Sequence, residues 1–288
     1  MRDTILFGDC RETLKEFDEK ARMCVTSPPY YGLRNYGDEE YQIGLEQTPE
    51  EFIKQLVNVF KEVKNVLTDD GTLWVNVGDS YYNYRPGRGQ GLAKQTVSNT
   101  KQDLPDVCPR RGNRLEGLKE KDLIGIPWMF AFAMRADGWY LRQDIIWNKP
   151  NPMPESVRDR CTKAHEYIFL FSKNQNYYFD VDAIKEPTRR KRSVWNVQKK
   201  PYRGAHFAVY PPDLIEPCIK AGSEEGDIVL DPFMGSGTTA MVAKSLGRDY
   251  IGCELHEDYG NLIQKRVAEY HPVEEVSQEP SINILDIV

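Results

Sequence analysis

The sequence predicts an α/β protein, a mostly parallel sheet with helices on both faces. Three observations carry that prediction. Short apolar runs alternate with amphipathic stretches along the 288 residues, the pattern of strands covered by helices. The run Ile228-Val229-Leu230 leads through a glycine-containing turn into a helix-forming stretch. An earlier run, Val25-Thr26, ends at the consecutive prolines Pro28 and Pro29.

The elements follow in order. Thr4–Phe7 is an apolar run closed by Gly8-Asp9, and Met23–Thr26 is one closed by the prolines. Pro49–Leu67 reads as a helix because Phe52, Leu56, Val59, Phe60 and Val63 recur at helical spacing. Gly71–Val77 reads as a strand and Leu123–Asp137 as a helix, followed by strands at Tyr140–Trp147 and Glu166–Ser172. The C-terminal part alternates helix Pro212–Ala221, strand Asp227–Leu230, helix Thr238–Leu246, strand Asp249–Cys253 and helix Asp258–Tyr270.

Two stretches have no period. Residues 80–121 are rich in Gly, Arg, Asn and Gln and read as a long mobile insertion. Residues 185–205 form a second irregular basic segment, and 271–288 an acidic tail that reads as a solvated extension, docked on the core or on a second subunit. The core is therefore divided into 1–79, 122–184 and 206–270. There is no internal repeat.

Length and a 40% hydrophobic content allow one large α/β domain or a core with a smaller lobe. The residues from Met1 to Asp9 lack an apolar signal segment, and no stretch is long and apolar enough to span a bilayer, so export and membrane insertion are not expected. Six cysteines are scattered without a Cys-x-x-Cys pair, and only four histidines accompany them. The expectation is reduced thiols in a cytoplasm-like compartment and no metal site.

The net charge of −6 argues at first against a polyanionic partner. The distribution argues otherwise. Acids crowd Asp38-Glu39-Glu40 and the tail around Glu274-Glu275 and Glu279. Bases crowd 85–121, with Arg85, Arg88, Lys94, Lys101, Arg110, Arg111 and Arg114, and 185–203, with Arg189, Arg190, Lys191 and Arg192. Such segregation fits one basic face; two solvated loops fit the same counts.

Two motifs carry chemistry. In the later one, Asp231-Pro232-Phe233-Met234-Gly235-Ser236-Gly237-Thr238-Thr239 follows a strand and opens a helix, which brings backbone N–H groups and a helix N-terminus to a ligand at the carboxyl edge of a sheet. The next strand ends in Glu254, placed to accept from both hydroxyls of a ribose. A phosphate-cradling P-loop needs a Lys after its second Gly, and here Thr238-Thr239 stands instead. A dinucleotide site needs a third glycine, and Ala240-Met241 stands there. The acid Asp231 suits a ligand with a cationic amino acid end better than one with phosphates. A tight turn without a ligand is the alternative.

The earlier motif is Ser27-Pro28-Pro29-Tyr30. Its prolines fix an extended loop, so the Ser27 hydroxyl and the Pro28 carbonyl can point the same way as acceptors, with Tyr30 as a flat stacking surface. Two converging acceptors and an aromatic plane suit an amino-bearing heteroaromatic ring. A proline-rich turn with a half-buried tyrosine is the alternative.

Together the motifs resemble those of the DNA amino-methyltransferases, in the permuted order in which the catalytic tetrapeptide precedes the cofactor loop. Further matches are Ile5-Leu6-Phe7-Gly8-Asp9, Gly71-Thr72-Leu73-Trp74-Val75-Asn76-Val77, Ile145-Ile146-Trp147-Asn148-Lys149-Pro150, His165-Glu166-Tyr167-Ile168-Phe169 and His206-Phe207-Ala208-Val209-Tyr210-Pro211. They cover most of the chain outside the two basic segments.

The resemblance implies a Rossmann-like methyltransferase fold dependent on S-adenosyl-L-methionine, with one antiparallel strand in the sheet. Residues 1–79 would be the catalytic-motif half and 206–270 the cofactor half, with 80–121 contacting DNA and 185–205 reading the target. Ser27, Pro28, Pro29 and Tyr30 would be catalytic. Asp231, Pro232, Phe233, Gly235, Gly237 and Thr238 would line the cofactor site, with Asp231 on the methionine amine, Glu254 on the ribose, and Asp9 and Phe207 on the adenine. Ser27 and the Pro28 carbonyl would accept both hydrogens of an exocyclic amine and free its lone pair, with the base flipped onto Tyr30. No covalent adduct and no cysteine nucleophile are needed.

Members of the family with Ser at the first tetrapeptide position are mostly cytosine-N4 enzymes, which favours cytosine; adenine-N6 is the alternative. Arg85, Arg88, Arg110, Arg111, Arg114, Arg189, Arg190 and Arg192 would contact double-stranded DNA, through phosphates or base edges. A homodimer and a cognate restriction endonuclease stay open as partners, in the cytoplasm of a bacterium or from a phage. Pro217-Cys218 is similar to the nucleophile dipeptide of carbon-5 cytosine methyltransferases, but no Glu-Asn-Val partner accompanies it, and Cys218 reads as packing. Trp128, Trp139 and Trp147 read as core, and Tyr177-Tyr178-Phe179 as a strand end. The rival functions are methylation of RNA or of a glutamine amide, and a catalytically inactive nucleic-acid-binding module.

Overall fold

A computed structural model describes residues 1–32, 41–82, 115–199 and 210–270. The elements are β1 (Thr4–Phe7), α1 (Cys10–Thr13) with a 3-10 turn at Leu14–Glu16, β2 (Ala21–Thr26), α2 (Pro49–Val66), β3 (Leu67–Val77), α3 (Ile126–Ala136), β4 (Tyr140–Asn148), β5 (His165–Ser172), β6 (Val194–Asn196), α4 (Pro212–Gly222), β7 (Ile228–Asp231), α5 (Thr238–Ser245), β8 (Asp249–Glu254), a 3-10 turn at Glu257–Tyr259 and α6 (Gly260–Glu269). Among the described residues no helix is long and apolar enough to cross a membrane.

The strands form one sheet in the order β1-β8-β7-β2-β3-β5-β4-β6. All pairings are parallel except those of β5, which runs against β3 and β4. This is the mostly parallel sheet with one antiparallel strand that was expected. Side chains alternate between two cores because neighbouring strand residues point to opposite faces. Cys24, Leu73, Val75, Phe169 and Phe171 face α2 and α3, while Met23, Val25, Trp74, Ile168 and Leu170 face α4 and α5. Helices therefore cover both faces.

Local chemistry sets the helix ends. Thr48 and Glu51 form a reciprocal capping box at the start of α2, with Pro49 in the first turn. The Asp79 carboxylate accepts from the N–H groups of Gly125 and Ile126, so α3 starts at Ile126 rather than at Leu123. Leu123 instead bridges to Tyr81.

Three sequence expectations need correction. The segment 185–205 is not wholly irregular, since β6 pairs with β4 and buries Trp195. Trp139 and Trp147 are buried as expected, but Trp128 is 36% exposed. Its ring packs edge-on against Phe169 and Tyr167, on the side of α3 that faces partly outward. Tyr177-Tyr178-Phe179 does not end a strand, because β5 stops at Ser172 and the chain then turns so that Tyr178 N–H bonds to Asp70 O in the first part of β3. Cys218 is fully buried in α4, and its thiol donates to Leu214 O.

Candidate active site

Because β1, β8, β7 and β2 are parallel neighbours, their carboxyl ends meet on one edge of the sheet. The proline motif leaves β2 there and the glycine motif leaves β7 one strand away. Register pairs Cys24 with Leu230, so Asp231 follows level with Val25 and the serine-proline motif starts two residues further along. Thr26, just before Ser27, donates its hydroxyl to Asp231 Oδ1 at 2.6 Å. Two segments some 200 positions apart in sequence are thus joined by a buried hydrogen bond.

Asp231 is 1% exposed and accepts from four groups. Oδ1 takes Thr26 and the Phe233 N–H at 3.0 Å; Oδ2 takes Thr239 Oγ1 at 2.5 Å and the Tyr210 hydroxyl at 3.2 Å. Burial pushes its carboxyl above the ordinary range against the pull of those bonds.

The loop itself is shaped by glycines. Gly237 has φ of +79° and caps α5, and a Cβ there would lie 2.6 Å from Ile263 Cγ2. Only glycine lets the turn approach α6 this closely. Arg266 of α6 donates to Ser236 O at 2.6 Å and fastens the loop from behind. Pro232 is buried, and Phe233 packs partly buried against the core. Thr238, first in α5, is buried, and its Oγ1 has no hydrogen-bond partner among the described residues. That hydroxyl stands at the start of α5, where the first N–H groups of a helix have no intrahelical partner.

Glu254, last in β8, reaches into the same loop, where Oε2 accepts from Gly235 N–H at 2.7 Å and Oε1 from His256 N–H at 3.1 Å. Burial raises its carboxyl above the ordinary range. Asp9 lies on the same edge, since Gly8 N–H bonds to Glu254 O, but its carboxylate is held by Arg11, with Nη2 at 2.5 Å. Asp9 also caps α1 through Arg11 N–H.

On the proline side, Ser27 lies 3.5 Å from Asn76 Oδ1 as a weak donor. Tyr30 donates its hydroxyl to Glu166 Oε2 at 2.7 Å and lies 3.3 Å from Asn76 Oδ1. Asn76 Nδ2 donates to the same Glu166 oxygen at 3.3 Å and to Tyr167 O at 3.1 Å. Lys149 closes the set with an ion pair to Glu166 Oε1, and its ammonium lies 4.2 Å from the centre of the Trp147 ring. Pro28 is buried and Pro29 half-buried. A Cβ on Gly78 would fall 2.5 Å from Tyr30 Cε2, so the tyrosine ring lies against bare backbone.

A family model for N6/N4 DNA methylases matches residues 21–265. The chain is a DNA methylase of this family. It is 49% identical over 274 residues to the type II methyltransferase M.XycI of Xanthomonas campestris pv. cyanopsidis, covering 93% of this chain and 88% of that one. Among solved structures it resembles the cytosine-N4-specific PvuII DNA methyltransferase, with a TM-score of 0.67 and 21% identity over 92% of this chain and 86% of that chain. It also resembles the M1.HpyAVI–SAM complex, with a TM-score of 0.59 and 20% identity over 92% of this chain and 98% of that chain. The methylase has the Rossmann-like fold of those enzymes.

The structure brings Ser27, Pro28, Pro29, Tyr30, Asp231, Pro232, Phe233, Gly235, Gly237, Thr238, Glu254 and Asp9 to one edge of the methylase sheet. Phe207, Arg85, Arg88, Arg110, Arg111 and Arg114 lie outside the described residues. Arg189, Arg190 and Arg192 are exposed ahead of edge strand β6, about 19 Å from β2 by strand spacing. Arg189 pairs with Glu186 at 2.5 Å. Sequence reading had assigned no role to Thr26, Asn76, Lys149, Glu166, Tyr210 or Thr239. The matching segments around 145–150 and 165–169 held the signal for two of them, but a Lys and a Glu 17 positions apart do not announce a contact.

Proposed function

We propose that this DNA methylase transfers a methyl group from S-adenosyl-L-methionine to the exocyclic N4 amine of a flipped cytosine in double-stranded DNA. The observation that carries the reading is the Thr26–Asp231 hydrogen bond, which places the acceptor loop beside the glycine loop.

The residues fit the cofactor. Asp231 would hold its ammonium, and Thr238 Oγ1 with the first N–H groups of α5 its carboxylate, which would give the orphan hydroxyl a partner. Gly235 and Gly237 would line the methionine portion, Pro232 and Phe233 would lie beside it, and Glu254 would take the ribose. Asp9 and Phe207 would flank the adenine. When bound, the cofactor supplies an electrophilic methyl on a sulfonium.

This chain supplies the acceptors. With its hydrogen turned toward Asn76 Oδ1, Ser27 Oγ presents lone pairs outward. Ser27 and the Pro28 carbonyl would each accept a hydrogen bond from one N–H of the amine, draw the nitrogen toward tetrahedral geometry and free its lone pair, with a single amine proton lost as the methyl is received. Tyr30 would stack on the extruded ring, with Pro29 fixing the loop. Holding these groups beside the cofactor pocket supplies rate through orientation. Arg189, Arg190 and Arg192, with Arg85, Arg88, Arg110, Arg111 and Arg114, would contact the duplex through phosphates or base edges.

Cytosine is favoured over adenine by serine at the first motif position. Incubating the protein with DNA and labelled cofactor, then identifying the product nucleoside by mass spectrometry, tests the reading. N4-methylcytosine is the expected product. N6-methyladenine would overturn the choice of base, and no labelled nucleoside would overturn the reaction.

A further inference from the structure

We infer that Glu166, held by Lys149, is a positioning residue for methyl transfer, one that fixes Tyr30 and, through Asn76, Ser27. The inference rests on the site proposed above and assigns its support.

The geometry is specific. Glu166 enters from β5, the single antiparallel strand, so a residue at the start of that strand arrives at the edge where β2 and β3 end. Its Oε2 is shared by the Tyr30 hydroxyl and Asn76 Nδ2, and its Oε1 is taken by Lys149. Asn76 passes the constraint on, because its Oδ1 lies within reach of both Ser27 Oγ and Tyr30 OH. Gly78 bounds the tyrosine ring from another side. A tyrosine fixed at its hydroxyl and its ring has one orientation to offer a base.

The carboxylate must be ionised to accept from all three donors at once. Lys149 is 5% exposed and is seated over Trp147, whose indole N–H is bonded to Val197 O at 2.8 Å. Burial, the largest influence, would raise the Glu166 carboxyl; the Lys149 ion pair, the Tyr30 hydroxyl and Lys199 together outweigh it and hold the group below the ordinary range, while burial lowers Lys149 against the pull of Glu166. The charged or titratable groups facing the pair are Tyr30 from the proline loop, Lys163 from the segment before β5 and Lys199 from the segment after β6.

The experiment compares Glu166→Gln, Lys149→Met, the double variant and Ser27→Ala on full-length protein. Cofactor binding by equilibrium dialysis reports that each is folded. Glu166→Gln, which accepts through one oxygen only, should lower kcat ~10–100-fold with cofactor affinity within about twofold of wild type. Lys149→Met leaves a buried carboxyl without its cation, so its pKa rises. Its kcat should fall at neutral pH and recover as pH is raised, with the acid limb shifted up against wild type. The double variant removes the titrating group, so that limb should vanish, and as a neutral pair it keeps the test open should Lys149→Met fail to fold.

A Lys149→Met profile that superimposes on wild type, or Glu166→Gln with unchanged kcat, would overturn the inference. Ser27→Ala separates this outcome from failure of the site itself. If Ser27→Ala is inactive while the other variants behave as wild type, only the positioning role is lost. If Ser27→Ala retains full turnover, the assigned active site is wrong.

Discussion

Thr26 Oγ1 donates to Asp231 Oδ1 at 2.6 Å inside the protein, and this contact holds the acceptor loop after β2 against the glycine loop after β7. The two residues end neighbouring parallel strands, so sheet register already brings them close. The hydrogen bond then orients the carboxylate, leaving Thr239 and Tyr210 to bind its other oxygen.

Removing that contact should loosen both loops at once. Thr26→Val keeps the β-branched shape but deletes one donor to a buried carboxylate. A loss of about 1–3 kcal/mol in unfolding free energy is expected by urea denaturation. Thr239→Val should fall in the same range, and the two variants should be non-additive because they share one acceptor group. Additive losses would mean that the bonds do not act through Asp231.

Ser27 and Asp231 should separate in kinetics. Ser27→Ala deletes the acceptor proposed for the target amine and should lower kcat by roughly 10²–10⁴ with little change in cofactor affinity. Asp231→Asn removes the charge, while the Thr239 and Tyr210 hydroxyls can turn to accept from the new amide nitrogen and Thr26 and the Phe233 N–H keep its oxygen. Its fold should therefore survive while cofactor affinity drops ~10–100-fold. Steady-state kinetics with direct cofactor binding checks both; equal effects on kcat and affinity in either variant contradict the roles.

Gly78→Ala should impair activity more than stability. The added Cβ meets the Tyr30 ring 2.5 Å away, and the ring, at the edge of the site, can move aside. Turnover should fall at least tenfold while the unfolding midpoint shifts little. Fluorescence of 2-aminopurine at the target position, which rises when a base leaves the stack, should report the proposed flipping in the parent protein and its loss in the variant. Unchanged turnover would remove the constraint placed on Tyr30.

DNA affinity should depend steeply on salt despite the net charge of −6. Among the three arginines before β6, Arg190→Ala and Arg192→Ala should each reduce the log–log slope by about 1 if they meet phosphates. Arg189→Ala should change it less, because its guanidinium already pairs with Glu186. A wild-type slope near zero would be incompatible with these contacts.

Much of the fold was legible because it follows from period and punctuation. The apolar run before Asp231, Gly237 after it and the helix beginning at Thr238 are neighbours in the chain, so local preference alone predicts the strand, turn and helix. The capping box of Thr48 and Glu51 marks the start of α2 for the same reason. Edge strand β6 was missed because its three residues are too short to show alternation and form only by pairing with β4. Trp128 was read as core because hydrophobicity does not say which side of a helix faces outward.

For this protein the sequence by itself determined the α/β class, the two motifs, their order along the chain and the chemistry each is suited to. Those properties lie in contiguous residues, where backbone preference and side-chain type act without help from distant parts. Only the tertiary structure decided that Asp231 is shared by Thr26, Thr239 and Tyr210, and that Tyr30 is held by a glutamate paired with Lys149. Those contacts join residues from different strands, and burial makes their charges matter by removing the water that would screen them. Neither the strand order that brings them together nor the loss of that water is written in any local stretch of sequence.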